Sequence, residues 1–483
     1  MLPSLEYGFD EGVYIQQARL VLAGQLPYRD FFYHQTPLYP FTLAASAGLA
    51  PDSLFLYRLP SLLAVALCGL LVHRIALQLM SGTGAVLAAL LFYTAPLQYF
   101  DLLAMPNALM LVSATSALYL VWFAERRSAV ALGALLFAVS MLYKPISIAT
   151  ALAAGVALAW HRERRRSLAW ATAVGAVGLG LAWALLDRLS EGAFTDLLAL
   201  QGLRHAEGSG FELVKQFPDI GGTIERLGIG SAVEWNFRQH AQIFLSISGP
   251  NPLFPLTALA TAGQILLLSP FGRRWQGQRV MLTLWWAVPL LFSIFVWEPT
   301  WQFYFVQYLP PFAILASLFL CWLWQVPSGR KISRVAVVAA VLCVSVSGVW
   351  HVAVRRNDYA LVPRPQTAGE SWLLFDPFLN FISGTQPGCG LIDPFNVYGE
   401  RSLTAIGSAA TRSRFHIDRD ALIACIGSDP EIRIGLGYWA SWFVDEPLRK
   451  LLDGLPAERF VPMRLHYRPP GGEMPASPER SRR

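Results

Sequence analysis

Asp10 and Glu11 are adjacent carboxylates at the head of a helical pattern, and three further charged residues, Arg58, Asp101 and Lys144, fall at the ends of apolar stretches. A carboxylate so placed can take a proton from a hydroxyl as general base, and nearby cations can hold a departing phosphate while negative charge develops on it. The set therefore suits group transfer from a lipid phosphate. Each residue also has a plainer reading. Asp10 is a good helix N-cap, and Glu11 is a first-turn acid that complements the helix dipole. Lys144 can snorkel with its stem in apolar surroundings, and Pro145 directly after it favours a tight turn. Arg58 can simply flank a span. What favours chemistry is their company, because charges at membrane depth are costly and usually functional.

The elements that carry these residues follow from composition. The chain has 483 residues, of which 54% are hydrophobic and 14% charged, and its mean hydropathy is positive. That is too little charge to coat a soluble particle of this size, and apolar stretches of spanning length recur. The expected fold is mostly α, a polytopic helical membrane protein with about ten spans. Their limits are 58–79, 84–100, 105–123, 129–143, 146–160, 168–188, 251–270, 280–297, 303–325 and 333–352. Basic clusters at His73-Arg74, Arg126-Arg127, 161–166, Arg273-Arg274 and Arg330-Lys331 fall on alternate loops, which the positive-inside rule makes cytoplasmic. The opposite loops hold residues 1–57, Asp101 to Asn107, the Lys144-Pro145 turn, 191–250, 298–302 and everything after His351. All the candidate chemistry then faces outward from a bacterial inner membrane. This topology leaves the N-terminal loop outside without a signal peptide, so the expectation is an upstream start encoding an eleventh span.

Within residues 1–57, Asp10 to Gly24 reads as a helix in the interface plane, with Tyr14, Ala18, Val21 and Leu22 on one face and Gln16, Gln17 and Arg19 elsewhere. Pro27 to Asp30 reads as a turn. Thr36 is the expected N-cap before Pro37, which opens a second short helix to about Gly48. Tyr28, Phe31, Phe32, Tyr33 and Tyr39 read as an interface belt, with a sugar-stacking wall as the sharper alternative. His34 has no partner at metal-ligand spacing and suits hydrogen bonding or stacking. After the membrane core at 58–353, short β-like runs at 390–392 and 432–436 and helical patterns at 419–426 and 446–452 predict a small α/β domain over 354–470 on the outer face. Cys389 and Cys425 lie there, either bridged or as two buried thiols. Residues 471–483 read as a disordered tail.

Other chemistries lack support. The five cysteines form no CxxC and lie near no histidine pair, so no metal centre is expected. There is no P-loop, GxGxxG after a strand, HExxH or GxSxG, which removes soluble nucleotide chemistry and standard hydrolase sites. The net charge of +6 comes from clusters between spans, so no nucleic-acid partner is expected.

The run DEGVYIQQARLVLAGQLPYRDFFYHQTPLYPF, followed by YRLPSLL, resembles the first external loop of the GT-C glycosyltransferases of the protein O-mannosyltransferase and aminoarabinose-transferase type. MLYKP around Lys144 and QFYFVQYLPP around Tyr304 are weaker echoes, and the similarity covers roughly residues 8–325. The resemblance implies an enzyme that moves a sugar from a polyprenyl-phosphate donor to a glycan, lipid or protein acceptor outside the membrane, and it leaves room for a divalent cation. It makes Asp10 the catalytic base and Glu11 its support. Arg58 and Lys144 become candidates for the carrier phosphate, and Tyr304 with Tyr308 for the far wall of the site. Three departures stand out. Thr36 replaces a Lys or His common before the matching proline, which leaves His34 as a substitute phosphate contact. Asn107 replaces an acid often found after the third span, with Asp101 as an offset substitute. The helix that normally precedes the Asp-Glu pair is absent. Two readings from other classes compete: a lipid-carrier flippase or transporter, although the spans carry few internal charges and no evident repeat, and a structural assembly protein that binds through its outer domain.

Overall fold

Each of the ten apolar segments contains a helix. In the computed structural model the described residues are 9–33, 35–160, 165–196, 253–266, 276–295, 302–325, 330–354, 371–374, 381, 386–387, 389, 419–428, 433–435, 450 and 460–461. The first loop supplies α1 (Phe9–Leu22) and α2 (Leu38–Ala47). The apolar helices follow as α3 (Leu54–Leu77), α4 (Gly82–Tyr93), α6 (Asn107–Phe123), α7 (Arg127–Tyr143), α8 (Ile148–Trp160) and α9 (Arg165–Leu189), with the short α5 (Gln98–Leu102) between α4 and α6. Then come α10 (Leu253–Leu266), α11 (Gln276–Phe295), α12 (Leu309–Gln325) and α13 (Arg330–Val354). Single 3-10 turns lead into α8 (Pro145–Ser147) and α12 (Gln302–Tyr308). Among the described residues, three helical stretches are long and apolar enough by themselves to cross a membrane: Leu54–Leu77, Arg165–Leu189 and Tyr304–Gln325.

One predicted span is broken. The segment 84–100 ends as helix at Tyr93, where the Thr94 hydroxyl donates to the Leu90 carbonyl at 2.8 Å. Pro96 has no N–H to continue the ladder, so the chain turns and restarts as α5. That turn is what delivers Asp101 to the bundle interior.

The bundle packs α6 along α7, α3 against α4 and α6, α8 against α11, and α12 against α4 and α10. Its core is rich in alanine at the seams, including Ala85, Ala88, Ala114, Ala117, Ala313 and Ala316. Small residues let helix backbones approach closely where lipid offers no hydrophobic drive for association. Ser317 tightens one such seam by donating to the Gly84 carbonyl at 2.7 Å. By contrast α9 buries none of its residues, and Trp170, Val177 and Leu181 point outward at 47%, 61% and 68% exposure. An apolar face of that extent suits lipid rather than water.

The first loop has its own core, and here the structure corrects three expectations. α1 is not a helix with one wet face, because Glu11 to Ala18 are all buried, Gln16 and Gln17 included. The aromatics Tyr28, Phe31, Phe32, Tyr33 and Tyr39 are neither a belt nor an open wall; they are 0–4% exposed and form a cluster with Tyr14, Leu43 and Tyr57. Thr36 makes no cap. Pro37 takes the cap position of α2, the Thr36 hydroxyl is buried, and the Thr36 carbonyl accepts from the Tyr33 hydroxyl at 3.0 Å. All three differences share one cause, since aromatic burial is worth more than wetting a short helix.

Beyond the bundle, β1 (Ser371–Leu374), β2 (Gln386–Pro387), β3 (Arg433–Gly435) and β4 (Phe460–Val461) pair in parallel in the order β2-β1-β3-β4, and α14 (Arg419–Ser428) precedes β3. Parallel neighbours demand crossovers, which fits the predicted alternation of strand and helix. A strand lies at 386–387, and the one expected at 390–392 falls outside the described residues. Cys389 and Cys425 are bonded to each other, with Cα atoms 6.0 Å apart, which settles the alternative left open by the sequence.

A test of the seams follows from two glycines. A Cβ on Gly348 would lie 1.7 Å from the Thr94 carbonyl oxygen, whereas one on Gly263 would meet nothing within 4 Å. Gly348→Ala must push α13 off the end of α4 and is expected to cost about 1–3 kcal/mol as overpacking. Gly263→Ala is expected to gain up to about 1 kcal/mol by restricting the unfolded chain. Unfolding of the purified variants in one detergent should separate the two with opposite signs.

Candidate functional site

The first two charged residues of α1 go different ways. Glu11 turns inward and meets Arg58, which the opening turns of α3 carry. Arg58 Nε and Nη2 donate to Oε1 and Oε2 of Glu11, each at 2.7 Å, and both side chains are fully buried. The Ala104 backbone N–H donates to the same Oε1 at 2.7 Å. One carboxylate therefore ties together the start of α1, the start of α3 and the connection between α5 and α6. Asp10, its neighbour, is only part-buried and lies on the side of Lys144, which its charge reaches.

On that side stands Lys144. It ends α7 in an extended conformation before Pro145, with its backbone N–H still donating to Ser140. The side chain is 5% exposed, and Nζ donates to Asn107 Oδ1 at 2.7 Å and lies 4.4 Å from the centre of the Tyr304 ring. Burial lowers the Lys144 ammonium below its usual range, while the charges of Asp10 and Asp101 draw it back up. Asp101 is fully buried, and among the described residues its carboxylate oxygens have no hydrogen-bond partner. Burial pushes it up to about 8, with Lys144 opposing. Tyr14, one turn after Asp10, donates to Gln35 Oε1 at 2.8 Å and lies edge-on to Tyr39 with ring centres 5.0 Å apart. The charge of Asp10 and the phenol of Tyr304 both act on it. Asp10, Tyr14, Lys144 and Tyr304 thus share one place, where a base, a cation and two aromatic hydroxyl groups converge.

A strained turn closes the loop beneath them. Tyr28 sits at φ 66°, in the left-handed region that costs a bulky residue roughly 1–2 kcal/mol. Its hydroxyl donates to the Gln35 carbonyl, and its ring lies edge-on to Phe194, which in turn meets Trp183. The contact holds Gln35 in reach of Tyr14 and anchors residues 193–196 over the loop.

The structure brings Asp10, Lys144, Asp101 and Tyr304 together. Two other expectations are corrected. Arg58 is not open to a carrier phosphate, because its guanidinium is buried and committed to Glu11. Tyr308 is not a wall of the site; four residues on from Tyr304 it points into the bundle core, stacked on Phe312 and hydrogen-bonded to Ser293. His34 lies outside the described residues. Four participants went unread in the sequence. Tyr14 was assigned only to an apolar face, Gln35 stood between louder neighbours, Asn107 counted merely as a lost acid, and the Ala104 amide has no side-chain signal at all. Among the described residues no group of three or more His, Cys, Asp or Glu side chains gathers to hold a metal ion.

Removing one member of the Glu11–Arg58 pair strands a buried charge. Glu11→Gln or Arg58→Met should each lower stability by about 3–5 kcal/mol, and the double variant Glu11→Met with Arg58→Met should lose less than the two together. A double-mutant cycle of unfolding in detergent measures the coupling.

Comparison with known proteins adds to this geometry. The sequence pattern of the family described as dolichyl-phosphate-mannose-protein mannosyltransferase matches residues 34–186. No curated protein sequence gives a match. Among solved structures, ArnT from Cupriavidus metallidurans bound to undecaprenyl phosphate is similar at TM-score 0.55 and 16% identity, covering 87% of each chain. The Archaeoglobus fulgidus oligosaccharyltransferase in complex with zinc and sulfate is similar at TM-score 0.53 and 13% identity, covering 80% of this chain and 58% of that one. The archaeal oligosaccharyltransferase AglB from the same organism, in complex with an inhibitory peptide and a dolichol-phosphate, gives TM-score 0.51 and 13% identity over 83% and 65%. The chain thus carries this family's sequence pattern over residues 34–186 and shares the fold of these solved structures over most of its length.

Proposed function

We propose that this protein is a glycosyltransferase that moves a sugar from a polyprenyl-phosphate carrier to an acceptor on the extracytoplasmic face of the membrane, with Asp10 as general base. The observation that carries this reading is the convergence of Asp10, Lys144 and Tyr304 at the end of a loop fixed by the Glu11–Arg58 pair. The acceptor oxygen attacks the anomeric carbon while the bond from that carbon to the carrier phosphate breaks, its electrons leaving on the phosphate oxygen. The acceptor proton passes to Asp10, and the Lys144 ammonium meets the charge that develops on the leaving phosphate. Attack opposite the leaving group inverts the anomeric centre. The acceptor is a glycan, lipid or protein.

A lipid-linked donor is supported by the similar ArnT, described as bound to undecaprenyl phosphate, and by the similar AglB, described in complex with a dolichol-phosphate. The outward orientation in a bacterial inner membrane is supported by the basic clusters on alternate loops and by the Cys389–Cys425 bond, which belongs in an oxidising compartment. Residues 354–470 form the outer domain on this reading.

Asp10→Asn keeps the size of the side chain and removes its basicity, so transfer in membranes supplied with lipid-linked donor should fall by roughly 10²–10⁴-fold at normal expression. Undiminished transfer would sink the assignment of the base. Lys144→Met should lower transfer by about 10²–10³-fold. Donor retention on the purified variant, measured with radiolabelled lipid, should weaken as well, which the Asp10 change should leave intact.

A further inference from the structure

The parallel sheet is not remote from the first loop. Phe381 lies between β1 and β2 in the chain, and its ring meets that of Tyr57 edge-on, with centres 5.4 Å apart and planes at 85°. It is 7% exposed and belongs to the same aromatic cluster as Tyr14, Tyr28, Tyr33 and Tyr39. Tyr57 is fully buried and directly precedes Arg58, the partner of Glu11. A side chain from the far part of the sequence thus completes the packing around the residue beside the buried ion pair.

The segment that carries Phe381 is fixed on both flanks. On one side β1 pairs with β2 and β3; on the other β2 ends two residues before Cys389, which is bonded to Cys425 on α14. The ring is therefore presented from a tethered support. Edge-to-face aromatic contacts fix the relative placement of two rings beyond what their burial supplies.

We infer that Phe381 is a positioning residue for the Asp10 loop, through Tyr57 and the neighbouring Glu11–Arg58 pair. The inference rests on the proposed transferase reading only for its catalytic consequence. Displacement of a reacting group by about 1 Å can cost about 10²-fold in rate. Loss of the Phe381 ring opens space against Tyr57 and lets the first loop shift.

The test has one arm that needs no activity. Arg29 and Arg126 are both exposed, the first in the Asp10 loop and the second between α6 and α7. In detergent-solubilised full-length protein, Phe381→Ala should speed tryptic cleavage at Arg29 about tenfold, the size of shift a modest local opening allows. Cleavage at Arg126 should stay as in the parent protein. Phe381→Leu should restore most of the protection, and Cys389→Ser with Cys425→Ser should behave as a milder Phe381→Ala. In the transfer assay, kcat of Phe381→Ala should fall by roughly 10–100-fold, with KM for the donor nearly unchanged. Unchanged cleavage at Arg29 would overturn the inference, and so would a parallel rise at Arg29 and Arg126, which marks general loss of stability. Faster cleavage at Arg29 alone, in a protein whose parent transfers no sugar from any polyprenyl donor, would uphold the placement of Phe381 and refute the transferase reading.

Discussion

Everything near the site hangs on one buried carboxylate, Glu11. Glu11 and Arg58 are buried together, and taking two charges out of water costs several kcal/mol per ion before their attraction returns any of it. Such a pair is a poor source of stability but a strict fixer of geometry. A bidentate fork admits one relative placement of two helices, and the Ala104 amide on the same oxygen adds the third element. An apolar pair of equal volume would hold α1 against α3 as firmly while allowing it to slide or rotate. The position of Asp10 relative to Lys144 cannot tolerate that freedom, because Asp10 is one residue from the fork.

Around the fork, the chain divides its labour by burial. The aromatic cluster makes the loop rigid, the strained Tyr28 turn brings Gln35 to Tyr14, and the break at Pro96 swings Asp101 inward. What remains less buried is Asp10. An amide oxygen, an aromatic face and the field of two acids all act on Lys144.

The helices were legible because apolar length and basic punctuation are written locally, and each of the ten segments contains a helix, although the one at 84–100 breaks after Tyr93. That Asp10 and Lys144 come near each other was legible because charge is conspicuous in an apolar chain. Arg58 was misread for the same reason. Its charge was visible, but its partner is 47 positions away and only the fold brings them together. Tyr308 came with Tyr304 from the family resemblance, and a 3-10 turn sends residues four apart in different directions. The aromatics failed because an interface belt and a small core have the same composition; only long-range packing separates them. Of the sheet only β3 was legible, as strands this short carry too few residues to announce themselves.

The contact of Phe381 with Tyr57 also sets an order of assembly. Loop-closure entropy delays contacts between distant parts of a chain, and synthesis runs from the N-terminus. The loop that bears Asp10 leaves the ribosome before the bundle does, yet one of the rings in its core arrives only after the bundle has been made. During translation the bundle can therefore insert while the loop is still incomplete. Maturation of the site then follows insertion of the membrane part.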